Sequence, residues 1–315
     1  MSNPHASAAT LIVLNPHAGS GRAKYLWDDL HASLRNRLGT FSVVITEQPE
    51  DVAPQLADAA RQGIRRVIAI GGDGTNHIVI NDVIRQNGLL APHDQIVYGN
   101  IPIGTGRDWA RGLGFPTQSV AAMSDWIARA TPRPIDVGVL TDHDTQRREY
   151  FLNIASTGLG GDVVLRVNSA EKRRAWTFFL ATVQSILHYQ PQHIRVRIDG
   201  AAWYEGRVYV LAVANGSTFG RGMQIAPHAV IDDGLFEVVL VKAVSRLEIL
   251  SAFQRVYRGT HLTHPAVLYT RAKQVEVEAV TPDAHAAIGL ELDGEFRSGR
   301  ALTFEVRPAL LHFLR

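Results

Sequence analysis

The chain has 315 residues, 46% of them hydrophobic, enough to bury a large core and long enough to favour two domains. Its 32 Lys and Arg stand against 30 Asp and Glu, so no strong field of either sign argues for nucleic acid as a partner. The absence of cysteine excludes disulfides, zinc ribbons and thiol catalysis and fits a reducing cytoplasm; the 13 histidines are scattered, without metal-type spacing such as HExxH. The opening "MSNPHASAAT" is polar and is not a signal peptide, and no apolar run reaches the roughly 18 residues that a bilayer span needs. The expectation is a soluble globular protein.

The first third alternates strands and helices. "TLIVLN" (10–15) reads as a strand, the loop "PHAGSG" follows, and 22–38 carries helical apolar spacing at Tyr25, Leu26, Leu30, Leu34 and Leu38. "FSVVIT" (41–46) is a second strand, and the stretch from Pro49 to Gly63 a second helix. "RVIAI" (66–70) is a third strand, "NHIVINDVIRQ" a third helix and "IVYGNIP" (96–102) a fourth strand. Strands that alternate with helices predict a parallel sheet covered on both faces, with ligands bound beyond the carboxyl ends of the strands. Three glycine-bearing turns, 15–21, 71–75 and 104–108, leave strand ends of that kind and are expected to converge on one edge.

"TPRPID" (131–136) reads as a boundary. Beyond it strands dominate: "VGVL", "YFLNIAST", "IRVRIDG", "WYEGRVYVLAVAN", "LFEVVLVK", "VLYTRAKQVEVEAV", "AAIGLELDG" and "ALTFEV". Helical stretches at about 172–188 and 245–258 interrupt a mostly antiparallel β domain. No repeats or low-complexity segments appear.

The turn "IGGDGTN" carries the chemistry. Glycines at a strand end let backbone approach a ligand, Thr75 or Asn76 is placed to cap the next helix, and that helix start points its amides at an anion. Asp73 adds a carboxylate beside the anion, as a divalent cation with a phosphate would require. The other reading is a tight βα turn with a polar cap; three converging turns, two with an aspartate, favour a phosphate site. No GxxxxGK[ST] is present, so the chain is not a P-loop enzyme.

"IGGDGTN", with "LNPHAGSG" upstream and "IPIGTGRDWAR" downstream, resembles the diacylglycerol kinase catalytic family in its bacterial soluble lipid kinase branch, related to sphingosine kinases and, more distantly, to NAD kinases and phosphofructokinases. The likeness continues through "NIASTGLGGDVV", "IAPHAVIDDGLFEVVLV" and "LELDGE", in order along nearly the whole chain. It implies an α/β plus β fold: an N-terminal α/β nucleotide-binding domain with a parallel sheet (1–134), a mostly antiparallel β-sandwich-like, NAD kinase-like substrate domain (135–301), and a C-terminal segment (302–315) returning to the first domain.

The resemblance also implies roles. Gly71, Gly72, Asp73, Gly74 and Thr75 bind nucleotide phosphates, with Asn15, Pro16 and Gly19 beside them and Gly104, Thr105, Asp108 and Arg111 completing the site. Asp293 is the implied general base with Glu295 beside it near the metal, Asp73 and Asp108 are further Mg²⁺ ligands, and Asp233 corresponds to a structural magnesium ligand remote from the chemistry. The cofactors implied are ATP and Mg²⁺. Read from the residues alone, "LDGE" is first an Asp-Gly hairpin turn; beside the kinase-like turns the preference passes to the catalytic reading, and both can hold together. Departures from the family pattern are His77-Ile78 where relatives carry Asn-Glu, Arg107 where they carry asparagine, and Ser20 where a lysine is frequent, with Arg22 or Lys24 near enough to substitute.

The expected activity is ATP-dependent phosphorylation of a lipid hydroxyl. A kinase of a soluble metabolite, or a catalytically weak nucleotide- or lipid-binding regulator, stays open beside it. Partners expected are a lipid at the membrane surface, met peripherally at the inner face by a cytoplasmic protein, and, as an open option, a second copy of the chain. Lys172, Arg173 and Arg174 with Trp176 and Phe179 form either a membrane-resting face or an ordinary core helix with a basic start.

Overall fold

The computed structural model describes residues 9–169, 177–281 and 287–315. The chain divides into two compact units, one running to Ile135 and taking in Ala309–Arg315, the other Asp136–Pro308.

In the first unit β1 (Thr10–Leu14), α1 (Arg22–Leu38), β2 (Phe41–Ile45), α2 (Val52–Arg61), β3 (Arg66–Gly71), α3 (Asp73–Asn87), β4 (Val97–Pro102), α4 (Asp108–Gly112) and α5 (Val120–Arg129) follow one another. The sheet order is β2-β1-β3-β4, all parallel. β1 and β4 are buried at every position and β3 at all but its first, as strands covered on both faces must be, whereas the edge strand β2 is half exposed. Ile12, Leu14, Ile68, Ile70 and Ile101 from the sheet pack with Leu30 and Leu34 of α1 and Ile127 of α5. Each such side chain contributes about 1.5–3 kcal/mol by leaving water. Because β1 turns out to β2 on one side while β3 lies on its other, the crevice between the carboxyl ends of β1 and β3 is the topological switch point of the sheet.

The second unit is mostly antiparallel. Its elements are β5 (Pro132–Asp142, entered from the first unit), β6 (Arg148–Phe151), β7 (Ile154–Gly158), α6 (Leu159–Ser169), α7 (Thr177–His188), β8 (Gln192–Ile198), β9 (Ala201–Ala214), β10 (Phe236–Lys242), α8 (Arg246–Tyr257), β11 (Val267–Ala272), β12 (Gln274–Ala279), β13 (Ile288–Leu292), β14 (Glu295–Gly299) and β15 (Ala301–Leu314, which ends in the first unit). The strand path is β14-β13-β7-β9-β8-β12-β15, with β10 and β11 added beside β9. Alternation sets the faces: Ile194 and Val196 of β8 enter a core with Phe151, Leu211, Phe236, Leu290, Leu292 and Phe304, while Arg195 points out to Glu205 at 2.8 Å. Phe151 and Phe236 stack at 5.6 Å.

Several expectations need correction. The units divide within "TPRPID", between Ile135 and Asp136, but the crossing is strand and not a loop, since β5 runs from Pro132 through it; the fixed φ of proline suits extended backbone. "YFLNIAST" is two strands and "VLYTRAKQVEVEAV" is two strands, and at both breaks the free amides bond an aspartate carboxylate instead of a neighbouring strand. The helix α6 lies in the glycine-rich "GLGGDVV", where low helix propensity conceals it. The short strand β14 was also unforeseen. Of the basic and aromatic stretch, Lys172, Arg173, Arg174 and Trp176 lie outside the described residues, as does the Phe179 side chain.

Candidate functional site

All strands of the first sheet point the same way, so the turns after β1, β3 and β4 leave a common edge. They also touch. The Asn15 amide nitrogen donates to Thr75 Oγ1 at 2.9 Å, and the Asn15 backbone N–H to the Ile70 carbonyl at 3.0 Å. The Ile103 N–H donates to the Gly71 carbonyl at 2.8 Å. A Cβ added at Gly104 would lie 2.7 Å from the Gly72 Cα, and one at Gly19 would lie 2.2 Å from the Ile103 carbonyl oxygen. Only glycine lets three backbones come this close. Pro16 and Gly74 fall within the first two turns, and the exposed Thr105 within the third.

Helix α3 starts at Asp73, three residues earlier than its apolar pattern suggests, with Gly72 as cap and no side-chain cap. Thr75 and Asn76 therefore do not cap it. Thr75 is committed to Asn15, and Asn76 accepts a 2.7 Å bond from the hydroxyl of Tyr98, which burial holds well above its usual pKa range. A helix start without a side-chain cap leaves its first amides to a ligand or to water.

Asp73 and Asp108 approach the same glycine. A Cβ at Gly106 would lie 2.6 Å from Asp73 Oδ2 and 3.4 Å from Asp108 Oδ2. Asp73 Oδ2 also accepts the Arg107 N–H at 3.0 Å, and Asp108 Oδ1 accepts Arg111 Nη1 at 2.6 Å. Arg107 holds this geometry with φ of 56°, a strained value for a residue with a β-carbon. Gly106 went unremarked in the sequence; its signal is a glycine placed two residues before one aspartate of the site. His77 is 3% exposed within α3, so the departure from the family pattern there is accommodated in packing. Two carboxylates at one glycine suit a hard cation that also takes phosphate oxygens.

In the second unit, Asp293 and Gly294 form the two-residue turn between β13 and β14, with φ of 50° and 92°. The carboxylate turns inward and is 7% exposed. Its Oδ1 accepts the Asn153 and Ile154 amides at 2.9 and 3.1 Å, and its Oδ2 accepts the Leu152 amide at 2.8 Å. These bonds fix its orientation and explain the break between β6 and β7. Glu295 opens β14 near Arg297, whose pKa is raised chiefly by its bond to Glu149 at 2.5 Å and only last by the charge of Glu295. Asp233 forms an ion pair with Arg271, which also reaches Glu237 at 3.2 Å; a guanidinium thus stands beside Asp233 where the resemblance implied a magnesium. No cluster of three or more His, Cys, Asp or Glu that could by itself hold a metal occurs among the described residues.

The fold and these turns define a class of protein, and comparison makes it specific. Residues 9–140 match the diacylglycerol kinase catalytic domain, and residues 153–315 the YegS C-terminal NAD kinase beta sandwich-like domain. A diacylglycerol kinase of Mycobacterium tuberculosis is 28% identical over 316 residues, covering 99% of this chain and 96% of the relative. A Chromohalobacter salexigens protein named "Probable lipid kinase YegS-like" is 32% identical over 259 residues, 81% of this chain and 77% of that one. A solved structure of a diacylglycerol kinase from Bacillus anthracis superposes with a TM-score of 0.69 at 18% identity, covering 97% and 96% of the two chains. The chain belongs to the diacylglycerol kinase and YegS-like lipid kinase family, a class of transferases.

Proposed function

We propose that this protein transfers the γ-phosphoryl group of ATP to the hydroxyl of a lipid alcohol of the diacylglycerol type. The observation that carries the reading is the meeting of three glycine turns at the sheet's switch point, with Asp73 and Asp108 converging on Gly106. Phosphoryl transfer needs positioning and charge neutralisation more than covalent help. The amides of the first turn of α3, led by Asp73, Gly74 and Thr75, donate to phosphate oxygens, aided by the helix dipole. Asp73 and Asp108 would hold Mg²⁺, which when bound neutralises charge on the phosphates. Arg111, tied to Asp108, adds a cation one turn further along.

Asp293, held in one orientation by its three amide bonds, takes the proton of the acceptor hydroxyl as the new O–P bond forms and the bond from the γ-phosphorus to the bridging oxygen breaks, releasing ADP. Glu295 stands two residues on. A lipid acceptor stays in its bilayer, so the enzyme meets it by peripheral contact from the ATP-bearing cytoplasmic side; among the described residues no helix is long and apolar enough to cross a membrane.

The test is transfer of labelled γ-phosphate from ATP, with Mg²⁺, to total lipid extract in detergent micelles. The expected result is a labelled lipid that disappears in Asp293→Asn. A labelled water-soluble product would move the reading to a soluble-acceptor kinase, and ATP binding without turnover to a regulator.

A further inference from the structure

We infer that Glu291 is the positioning residue of the Asp293 turn: its buried carboxylate clamps Gly294 and Ser156 together and so aims the Asp293 side chain. The inference rests on the reading of Asp293 as the proton acceptor. Glu291 stands on β13 between Leu290 and Leu292, whose side chains enter the core of the second unit. Glu291 therefore lies on the opposite face by the two-residue period of the strand, and Asp293 follows in the turn that this strand enters. Glu291 is 6% exposed, and Ser156, its direct partner across the β7–β13 pair, is fully buried. The Ser156 hydroxyl donates to Glu291 Oε2 at 2.9 Å, and the Gly294 N–H donates to Oε1 at 2.9 Å.

The first turn of α6 lies over this pair. A Cβ at Gly160 would come within 2.0 Å of Ser156 Oγ and 3.8 Å of Glu291 Oε2, and one at Gly161 within 2.7 Å of the Gly289 carbonyl carbon. Gly160 thus lets the helix close on the hydroxyl and the carboxylate, and Gly161 lets it close on the backbone of β13 beside them. Burying a carboxylate is costly unless its oxygens are bonded, and an apolar side chain would fill the same place more cheaply. What the carboxylate provides is a fixed acceptor for the amide of a residue at φ of 92°. β7 is then held at two points by the same hairpin: its leading amide, of Ile154, by Asp293, and its Ser156 by Glu291. The Asp293 carboxylate cannot swing without releasing one of them.

The experiment is steady-state phosphoryl transfer on the full chain, with Glu291→Ala, Glu291→Gln, Asp293→Asn and the double variant Glu291→Ala/Asp293→Asn. Glu291→Ala is expected to lower kcat about 10- to 100-fold, the size of a small misplacement of a reacting group, with KM for ATP within about twofold. Glu291→Gln keeps an acceptor for Gly294 and is expected to restore kcat to within about threefold of the parent. In the Asp293→Asn background, Glu291→Ala should cause no further loss, because the group it aims is gone. A parental kcat in Glu291→Ala, or a loss that multiplies with that of Asp293→Asn, would overturn the inference while leaving the reading of Asp293 intact. A fully active Asp293→Asn would overturn that reading and this inference with it. If Glu291→Ala does not fold, Ser156→Ala carries the same prediction at about three- to tenfold, the worth of one hydrogen bond.

Discussion

The second unit contains two Asp-Gly hairpin turns built to one plan. Asp199-Gly200 joins β8 to β9 with φ of 48° and 81°, and Asp293-Gly294 joins β13 to β14 with φ of 50° and 92°. In each, the aspartate N–H donates to a carbonyl on a distant strand, Gln274 or Ile154. In each, Oδ1 accepts two consecutive amides there, Lys273 and Gln274 or Asn153 and Ile154. The plan is therefore a structural one: a hairpin tip closes a break in a neighbouring strand. Three things set the second turn apart. Asp293 is buried where Asp199 is exposed, its Oδ2 also takes the Leu152 amide, and Glu291 clamps Gly294, while the matching Arg197 instead donates to the Gly200 carbonyl. A turn motif alone does not mark an active carboxylate; its surroundings do.

The comparison can be broken most decisively by the paired asparagine variants. Asp293→Asn is expected to lower kcat by about 10²–10⁴-fold with ATP affinity near the parent's by calorimetry. Asp199→Asn should leave kcat unchanged and lower stability by no more than about 1 kcal/mol, because the asparagine oxygen still accepts the two exposed amides, without the charge. Equal kcat losses in the two would erase the distinction.

Next in size is a defect that should fall on the nucleotide instead of the transfer step. Gly106→Ala brings a methyl to 2.6 Å from Asp73 Oδ2, and Asp73→Ala removes the carboxylate itself. Both are expected to raise KM for Mg·ATP about tenfold or more, a loss of roughly 1.4 kcal/mol in binding. Titration with the Mg²⁺ concentration varied would check this against the kcat-only signature of the Asp293 turn.

Gly294→Ala and Gly200→Ala sharpen the comparison further. An added Cβ meets nothing within 4 Å at either site, so the cost is that of positive φ alone. Each should lose about 1–2 kcal/mol of stability in denaturant melts. Only Gly294→Ala should also lower kcat, since only its amide is held by Glu291.

The smallest effect is a background shared by all these melts. His261 is 3% exposed, its Nε2 lies 2.9 Å from the Ile225 carbonyl, and burial lowers its pKa. Below the unfolded value of about 6.5 the unfolded chain binds a proton that the folded chain resists, so stability falls as pH drops from there toward the folded pKa. Melting temperature should decline over that window, and His261→Gln, which keeps a donor for Ile225, should flatten the slope. An unchanged slope would show that other groups set it.

How much of the protein was legible beforehand follows from the range of the interactions involved. The alternation of strand and helix through residue 102, the glycine turns at strand ends and the Asp-Gly hairpin at 293 are written in residues within a few positions of one another. Backbone sterics and the period of buried positions act at that range, so the amino-acid sequence by itself determined them. The start of α3 was misplaced because its first turn is glycine and polar residues, which carry no apolar period.

What only the tertiary structure decided lies between residues far apart in the chain. Asn15 meets Thr75 sixty positions on, and the Asp293 carboxylate meets amides about 140 positions back. Ser156 meets Glu291 across 135. The position 291 carried no readable signal, since a glutamate between two leucines looks like the solvent side of any edge strand. It is buried because α6 closes over it on two glycines, and where a helix closes is settled by the packing of the whole unit rather than by neighbours in sequence.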